Sequence, residues 1–331
     1  SQRRFIDVDL PSGSFASDFT WSHDGSQMAF LAHLPTHTEV WIADPSSGRT
    51  QSLSDQRVLA TIGTSASGQG TRPSNMLQWT PEGTVITLLV PSDRGMEPER
   101  NPIPTGPLTR RTREEATSTR TFPYLLEHPH DEVLFEHYTR SQITELAPGA
   151  SPRALGAPGM YESISLSPDG QHILATRIER PFSYITSYRG FPRATVVLDR
   201  SGSPVAELDY RPLNEGGGFG NGDNGTGPRA FAWRPDGSGL GFLQRAAADE
   251  DDPDAARPDH LMRVTAPFDL DDAETIATSD DRIASVAYSL DGDHAFATVE
   301  KEDEEGIAYW RLGSSLPTRR MLVDFYDTSD P

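Results

Sequence analysis

Trp21-Ser22-His23-Asp24-Gly25, Trp79-Thr80-Pro81-Glu82-Gly83, Leu166-Ser167-Pro168-Asp169-Gly170, Trp233-Arg234-Pro235-Asp236-Gly237 and Tyr288-Ser289-Leu290-Asp291-Gly292 are five copies of one pattern. Each begins with a large residue and ends on an acidic residue followed by glycine. A short apolar stretch comes next, such as Met28-Ala29-Phe30 or Ile173-Leu174-Ala175. Internal repeats of this kind decide a fold before any single segment does. Asp-Gly accepts positive φ at little cost, and proline before it ends the preceding strand. Alternating residues on either side then pair as antiparallel strands. The large residue before the turn is expected to point into the packing between sheets.

A second hairpin follows most copies. Trp41-Ile42-Ala43-Asp44 turns at Ser47-Gly48 and returns through Thr50-Gln51-Ser52-Leu53. Val196-Val197-Leu198-Asp199 turns at Ser201-Gly202 and returns through Val205-Ala206-Glu207-Leu208. Ile307-Ala308-Tyr309-Trp310 returns as Arg320-Met321-Leu322-Val323. Two hairpins make four strands, the blade of a β-propeller. The sequence thus predicts an all-β chain of five four-stranded blades at about 16–54, 75–156, 162–209, 229–278 and 283–325, an arc of a seven- or eight-bladed ring. Phe5-Ile6-Asp7-Val8-Asp9-Leu10 offers one further strand. Helical periodicity is confined to about 119–140, where one or two short helices fit. Five copies with matching flanks argue against unrelated turns in a β-sandwich. An open arc would leave strand edges and apolar blade faces exposed, so aggregation or dimerisation is expected.

Composition narrows the function classes. The chain has 331 residues, 35% of them hydrophobic, enough for a substantial core. No apolar run approaches bilayer length, so no membrane span is expected. The formal net charge is -20, which repels phosphate and disfavours nucleic acid as a partner. Lys301 is the single lysine. A GC-rich genome and a salt-loaded cytoplasm both explain that bias. There is no cysteine, which excludes disulfides and zinc–thiolate sites within the chain. Ser1-Gln2-Arg3-Arg4-Phe5 has neither an initiator methionine nor an apolar leader. The sequence reads as part of something longer, and a cytoplasmic or periplasmic location stays open.

The loops offer weaker signals. Residues 91–138 form a long insertion between the second and third strands of the second blade, and solvated loop is the simplest reading of its Arg run at 110–113. The glycine-rich stretch 216–225 is one near-miss of a calcium repeat, and the acidic run 249–254 reads as a surface loop. His128-Pro129-His130-Asp131 has metal-capable residues but no paired partner, so neither a metal nor any other cofactor is expected. Serine catalysis needs an activated hydroxyl, a base and an orienting acid. No Gly-x-Ser-x-Gly elbow occurs; Gly63-Thr64-Ser65-Ala66-Ser67-Gly68 misses it by one position and lacks a strand–helix context. No catalytic residues are therefore assigned in this chain.

Several inserted segments stand in a telling order: Asn-Pro-Ile-Pro-Thr-Gly-Pro at 101–107, Arg120-Thr121-Phe122-Pro123-Tyr124-Leu125-Leu126, and His130 through Gln142. Arg180-Pro181-Phe182-Ser183-Tyr184 and Gly190-Phe191-Pro192 follow. In this order they resemble the N-terminal propeller of the prolyl oligopeptidase family of serine peptidases. The branch they look most like is the glutamyl endopeptidases of plastids and their bacterial relatives. The resemblance runs from about residue 15 to the C-terminus. It implies a propeller sitting over an α/β-hydrolase domain of the same parent chain, which would carry the serine, aspartate and histidine. It further implies that the propeller gates peptide substrates by size and is inert alone. A preference for cleavage after Glu would need a cation, and arginine suits carboxylates through bidentate pairing. Arg180, Tyr184, Arg189 and Arg193, between strands of the third blade, are the candidate substrate-binding residues that follow from this reading. A stand-alone scaffold for protein–protein interaction is the alternative. A propeller hydrolase acting on sugars or lactones would need clustered carboxylates or a central metal, which no spacing singles out.

Overall fold

The computed structural model describes residues 5–59, 76–100, 125–215, 227–247, 257–313 and 317–327. It contains five four-stranded antiparallel sheets, each with its strands in sequential order. Blade 1 comprises β1 (Phe15–Trp21), β2 (Met28–His33), β3 (Thr38–Ala43) and β4 (Thr50–Ser52). Blade 2 comprises β5 (Gln78–Trp79), β6 (Val85–Leu89), β7 (Gln142–Leu146) and β8 (Arg153–Ala154). Blade 3 comprises β9 (Met160–Leu166), β10 (His172–Ile178), β11 (Arg193–Asp199) and β12 (Pro204–Arg211). Blade 4 comprises β13 (Arg229–Trp233), β14 (Leu240–Arg245), β15 (Asp259–Val264) and β16 (Glu274–Ser279). Blade 5 comprises β17 (Arg282–Tyr288), β18 (His294–Lys301), β19 (Glu304–Arg311) and β20 (Arg320–Asp327). One helix, α1 (Pro129–Thr139), stands between β6 and β7. The chain forms two compact units, one holding blades 1 and 2 with most of blade 3, the other blades 4 and 5.

Each repeat is the turn between the first two strands of a blade. Gly25, Gly83, Gly170, Gly237 and Gly292 all take φ between 69° and 82°. Each donates its N–H to the carbonyl three residues earlier, as Gly25 does to Ser22 at 2.9 Å and Gly170 to Ser167 at 2.9 Å. The acidic residue before the glycine is absent from the positive-φ residues. These are therefore type I turns with glycine following in the left-handed region. The aspartate supplies hydrogen bonds instead. Asp24 accepts from the Ser22 hydroxyl at 2.7 Å and from the Ser26 N–H at 2.9 Å. The Ser22 hydroxyl and then the Ser26 groups hold its carboxyl down at about 2. Asp44, in the second hairpin of blade 1, is likewise lowered to about 2 by Ser46 and Ser47.

Alternation along the strands gives every blade two faces. Ala29, Leu31, Val40 and Ile42 of blade 1 pack against Trp79, Val85, Leu89 and Leu146 of blade 2. The opposite face of blade 2, with Ile86, Leu88 and Ile143, packs against Ile164, Ile173, Ala175 and Val196 of blade 3. In the second unit Leu243 and Leu261 of blade 4 meet Ala295, Ala297, Val299 and Trp310 of blade 5. Burying each large side chain contributes about 1.5–3 kcal/mol. Polar links cross the same seams. The Gln78 amide donates to the Ile164 carbonyl at 2.7 Å and accepts from the Leu166 N–H at 2.5 Å, continuing the backbone ladder with a side chain. Asp259, fully buried, accepts from Nη1 and Nη2 of Arg229 and from the Ile283 N–H.

Residues 5–10 differ from expectation. They form no strand; Asp9 donates its N–H to Gly48 at 3.1 Å and accepts from Thr50, so the segment lies along the β3–β4 turn. The segments read as a near-miss serine elbow, an Arg run, a calcium-like loop and an acidic run lie outside the described residues, as do residues 101–124 of the long insertion.

Candidate functional site

The four candidate residues surround the segment that joins β10 to β11, and α1 covers it. Asp131 starts the helix by accepting from the N–H groups of Glu127 at 2.7 Å and His128 at 2.8 Å. Burial pushes the Asp131 carboxyl up, but these two bonds outweigh it and the net shift is downward. His128 is thus the helix N-cap and His130 lies in the first turn. Among the described residues, no group of three or more His, Asp or Glu side chains is arranged to hold a metal ion.

The helix is anchored by aromatic rings. Phe135 meets Phe182 edge-on at 5.0 Å and Phe191 at 5.4 Å, while Phe182 and Phe191 stack at 5.1 Å. Met160 and Ile178 complete the buried cluster. Such ring geometry adds about 0.5–1.5 kcal/mol per pair beyond area burial. The segment's far end is pinned by Asn214, whose N–H donates to the Gly190 carbonyl at 2.8 Å. Gly190 is required there, because a Cβ would lie 2.5 Å from the Asn214 carbonyl oxygen.

On this platform Arg180 spans two carboxylates of the helix. Its Nη1 donates to Glu132 at 2.7 Å and its Nη2 to Glu136 at 2.9 Å, while the guanidinium lies 4.6 Å over the Phe182 ring. Glu132 and Glu136 are one helical turn apart and so share a face. Burial lowers the Arg180 pKa, the two glutamates raise it, and the glutamates prevail. The Tyr184 hydroxyl donates to Glu132. Burial first, and then Glu132, pushes the Tyr184 phenol up to about 12.

Arg193 is committed elsewhere. It donates to Glu162 on β9 from Nε at 2.7 Å and Nη2 at 3.1 Å, and to the carbonyls of Arg189, Phe191 and Tyr188. Those bonds fix the turn Tyr188–Gly190 to the sheet. Arg189 is exposed on that turn. The structure therefore brings Arg180 and Tyr184 together on Glu132 and assigns Arg193 to holding the segment's shape. Sequence reasoning missed the acidic partners Glu132, Glu136 and Glu162. The i, i+4 spacing of Glu132 and Glu136 in a segment read as helical was the available signal.

Sequential four-stranded blades turned by a repeated Asp-Gly motif define a protein of the β-propeller class. No protein-family model matches the chain. Over 235 residues, 68% of its length, it is 28% identical to a probable chloroplastic glutamyl endopeptidase of Oryza sativa subsp. japonica. Over 233 residues, 69% of its length, it is 27% identical to the corresponding protein of Arabidopsis thaliana. These matches cover 24% and 23% of the two relatives, so the chain spans about a quarter of their length. Among solved structures, an oligogalacturonate lyase in complex with manganese overlaps 94% of this chain and 65% of its own at 8% identity and a TM-score of 0.47. A puromycin-hydrolysing peptidase of Mycobacterium tuberculosis overlaps 98% and 42% at 14% identity and a TM-score of 0.43. These two overlaps carry no functional inference. The sequence relationship is the more specific one: over about two thirds of its length the chain resembles part of the glutamyl endopeptidases. No described helix is long and apolar enough to cross a membrane.

Proposed function

We propose that this chain is the substrate-gating propeller of a serine peptidase that cleaves peptides after Glu, and that it has no peptidase activity by itself. The observation that carries the reading is the 28% identity to a glutamyl endopeptidase across two thirds of the chain. Its partner is an α/β-hydrolase domain of the same parent polypeptide, and its ligands are peptides.

The segment around Arg180 is the part of the propeller proposed to meet substrate. The Arg180 side chain is 47% exposed, and its Glu136 partner is 45% exposed. A glutamate side chain of a peptide can therefore exchange with Glu136 while Glu132, itself held by the Tyr184 hydroxyl, keeps the guanidinium in place. Arg189 lies exposed on the same segment. Arg193 holds the backbone and does not touch peptide.

A fluorophosphonate probe, which labels activated serines, tests the division of labour. The 331-residue chain should remain unlabelled, and the full gene product should be labelled and cleave Glu-containing peptides. In the full product, Arg180→Ala should lower kcat/KM on Glu peptides by about tenfold relative to matched Gln peptides, the scale of one charge-assisted hydrogen bond. Labelling of the isolated chain would overturn its proposed inertness, and a reading frame without a hydrolase domain would overturn the proposal in favour of a binding scaffold.

A further inference from the structure

Arg180 and Arg193 stand at the two ends of the segment that joins β10 to β11. Each presents the same edge of its guanidinium, Nε with Nη2, to a glutamate, and they do so differently. Arg193 meets Glu162 with a full fork: Nε donates to Oε2 at 2.7 Å and Nη2 to Oε1 at 3.1 Å. Arg180 meets Glu136 with half of one: Nε at 3.2 Å and Nη2 at 2.9 Å both donate to Oε2. Oε1 of Glu136 accepts no hydrogen bond among the described residues. That edge of a guanidinium matches two carboxylate oxygens, and the two-oxygen pairing is the stronger one.

Glu132 and Glu136 differ in the same sense. Both oxygens of Glu132 are engaged, Oε2 by Arg180 Nη1 at 2.7 Å and Oε1 by the Tyr184 hydroxyl. Its side chain is 21% exposed, against 45% for Glu136. An exposed ion pair is screened by water and salt and contributes little. Glu132 is therefore the fixed partner of Arg180 and Glu136 the labile one. The Phe182 ring, 4.6 Å from the guanidinium, is buried against Phe135 and Phe191. It supports Arg180 whether or not Glu136 is paired.

Two carboxylates on one guanidinium leave one negative charge in excess. A third carboxylate is repelled while Glu136 stays paired. Once Glu136 withdraws, the incoming group gains the two-oxygen fork that Glu136 does not make.

Building on the reading of Arg180 as a substrate contact, we propose that Glu136 is a built-in competitor for the glutamate side chain of the substrate, and so sets how strongly the site selects Glu. It acts through Arg180. A peptide carboxylate lying side-on along Nε and Nη2 displaces it. A glutamine side chain, uncharged and with one acceptor oxygen, does not.

Steady-state kinetics of the full gene product on matched Glu and Gln peptides reads this out. Glu136→Gln removes the competing charge and should lower KM on Glu peptides, relative to Gln peptides, by about threefold, the scale of an exposed ion pair. Glu136→Ala should act in the same direction, and far-UV circular dichroism checks that each variant keeps its sheet signal. In an Arg180→Ala background neither substitution should shift that ratio, because no guanidinium is left to compete for. An unchanged or raised KM ratio in Glu136→Gln and Glu136→Ala, with Arg180→Ala still weakening the preference for Glu, would overturn the competition and leave Arg180 as the substrate contact. A preference for Glu that survives Arg180→Ala would overturn both. An equal fall in KM on Glu and Gln peptides, or a shift that persists without Arg180, would show a general charge effect and would also overturn the inference.

Discussion

Gly237→Ala and Gly292→Ala form a matched pair that separates backbone strain from blade-to-blade packing. Both glycines end the repeated turn, with φ of 71° and 72°. An alanine in the left-handed region costs about 1–2 kcal/mol at either position. At Gly237 that is the whole expected effect, because nothing lies within 4 Å of an added Cβ. At Gly292 the Cβ would lie 2.0 Å from Asp236 Oδ2 and 2.7 Å from its Cβ. Asp236 cannot swing away freely. It accepts from Arg234 Nη2 at 2.9 Å and from the Ser238 N–H at 3.0 Å. Arg234 is 4% exposed and also donates to the Gly292 carbonyl at 2.7 Å. Relieving the clash means giving up a hydrogen bond to a charged group, worth about 1.5–3 kcal/mol. Gly292→Ala should therefore be about 2 kcal/mol worse than Gly237→Ala. With a urea slope of about 3 kcal/mol/M, the midpoints differ by roughly 0.7 M. Tryptophan fluorescence is a suitable probe, since Trp233 and Trp310 lie in the same unit as both glycines. Equal midpoints for the two variants, or a larger loss at Gly237, would refute the reasoning.

Two further outcomes follow from buried and hydrogen-bonded carboxylates. Asp24 and Asp44 sit at about 2 in the fold against an ordinary value of 3.8; the stability they contribute is fully present above pH about 4 and is lost as pH falls through about 2. An acid titration by circular dichroism should show Asp24→Asn and Asp44→Asn narrowing that stability loss, and an unchanged acid limb would contradict the turn chemistry. Asp259→Ala should destabilise the second unit by about 3–5 kcal/mol, because Arg229 is left buried without its carboxylate. A thermal midpoint within error of the wild type would show that this pair does not hold blades 4 and 5.

The architecture was legible in the sequence because its cause is local. A glycine in the left-handed region, an aspartate that accepts from neighbouring N–H groups and an alternating strand on each side all act within a few residues, so five copies of the turn announced five four-stranded sheets. The resemblance to glutamyl endopeptidases was legible for the same reason, as an ordered set of short segments. The candidate site was read only in part. Arg180, Tyr184, Arg189 and Arg193 lie close in sequence, but what each guanidinium does depends on Glu132, Glu136 and Glu162, which are 31 to 48 residues away along the chain. Only the tertiary structure brought those carboxylates to the arginines, and it made Arg193 a brace while leaving Arg180 half open. Trp21 and Trp79 make the point most simply. They hold the same place in the repeat, yet Trp21 is 56% exposed and Trp79 6% exposed, because blade 1 lies against Trp79.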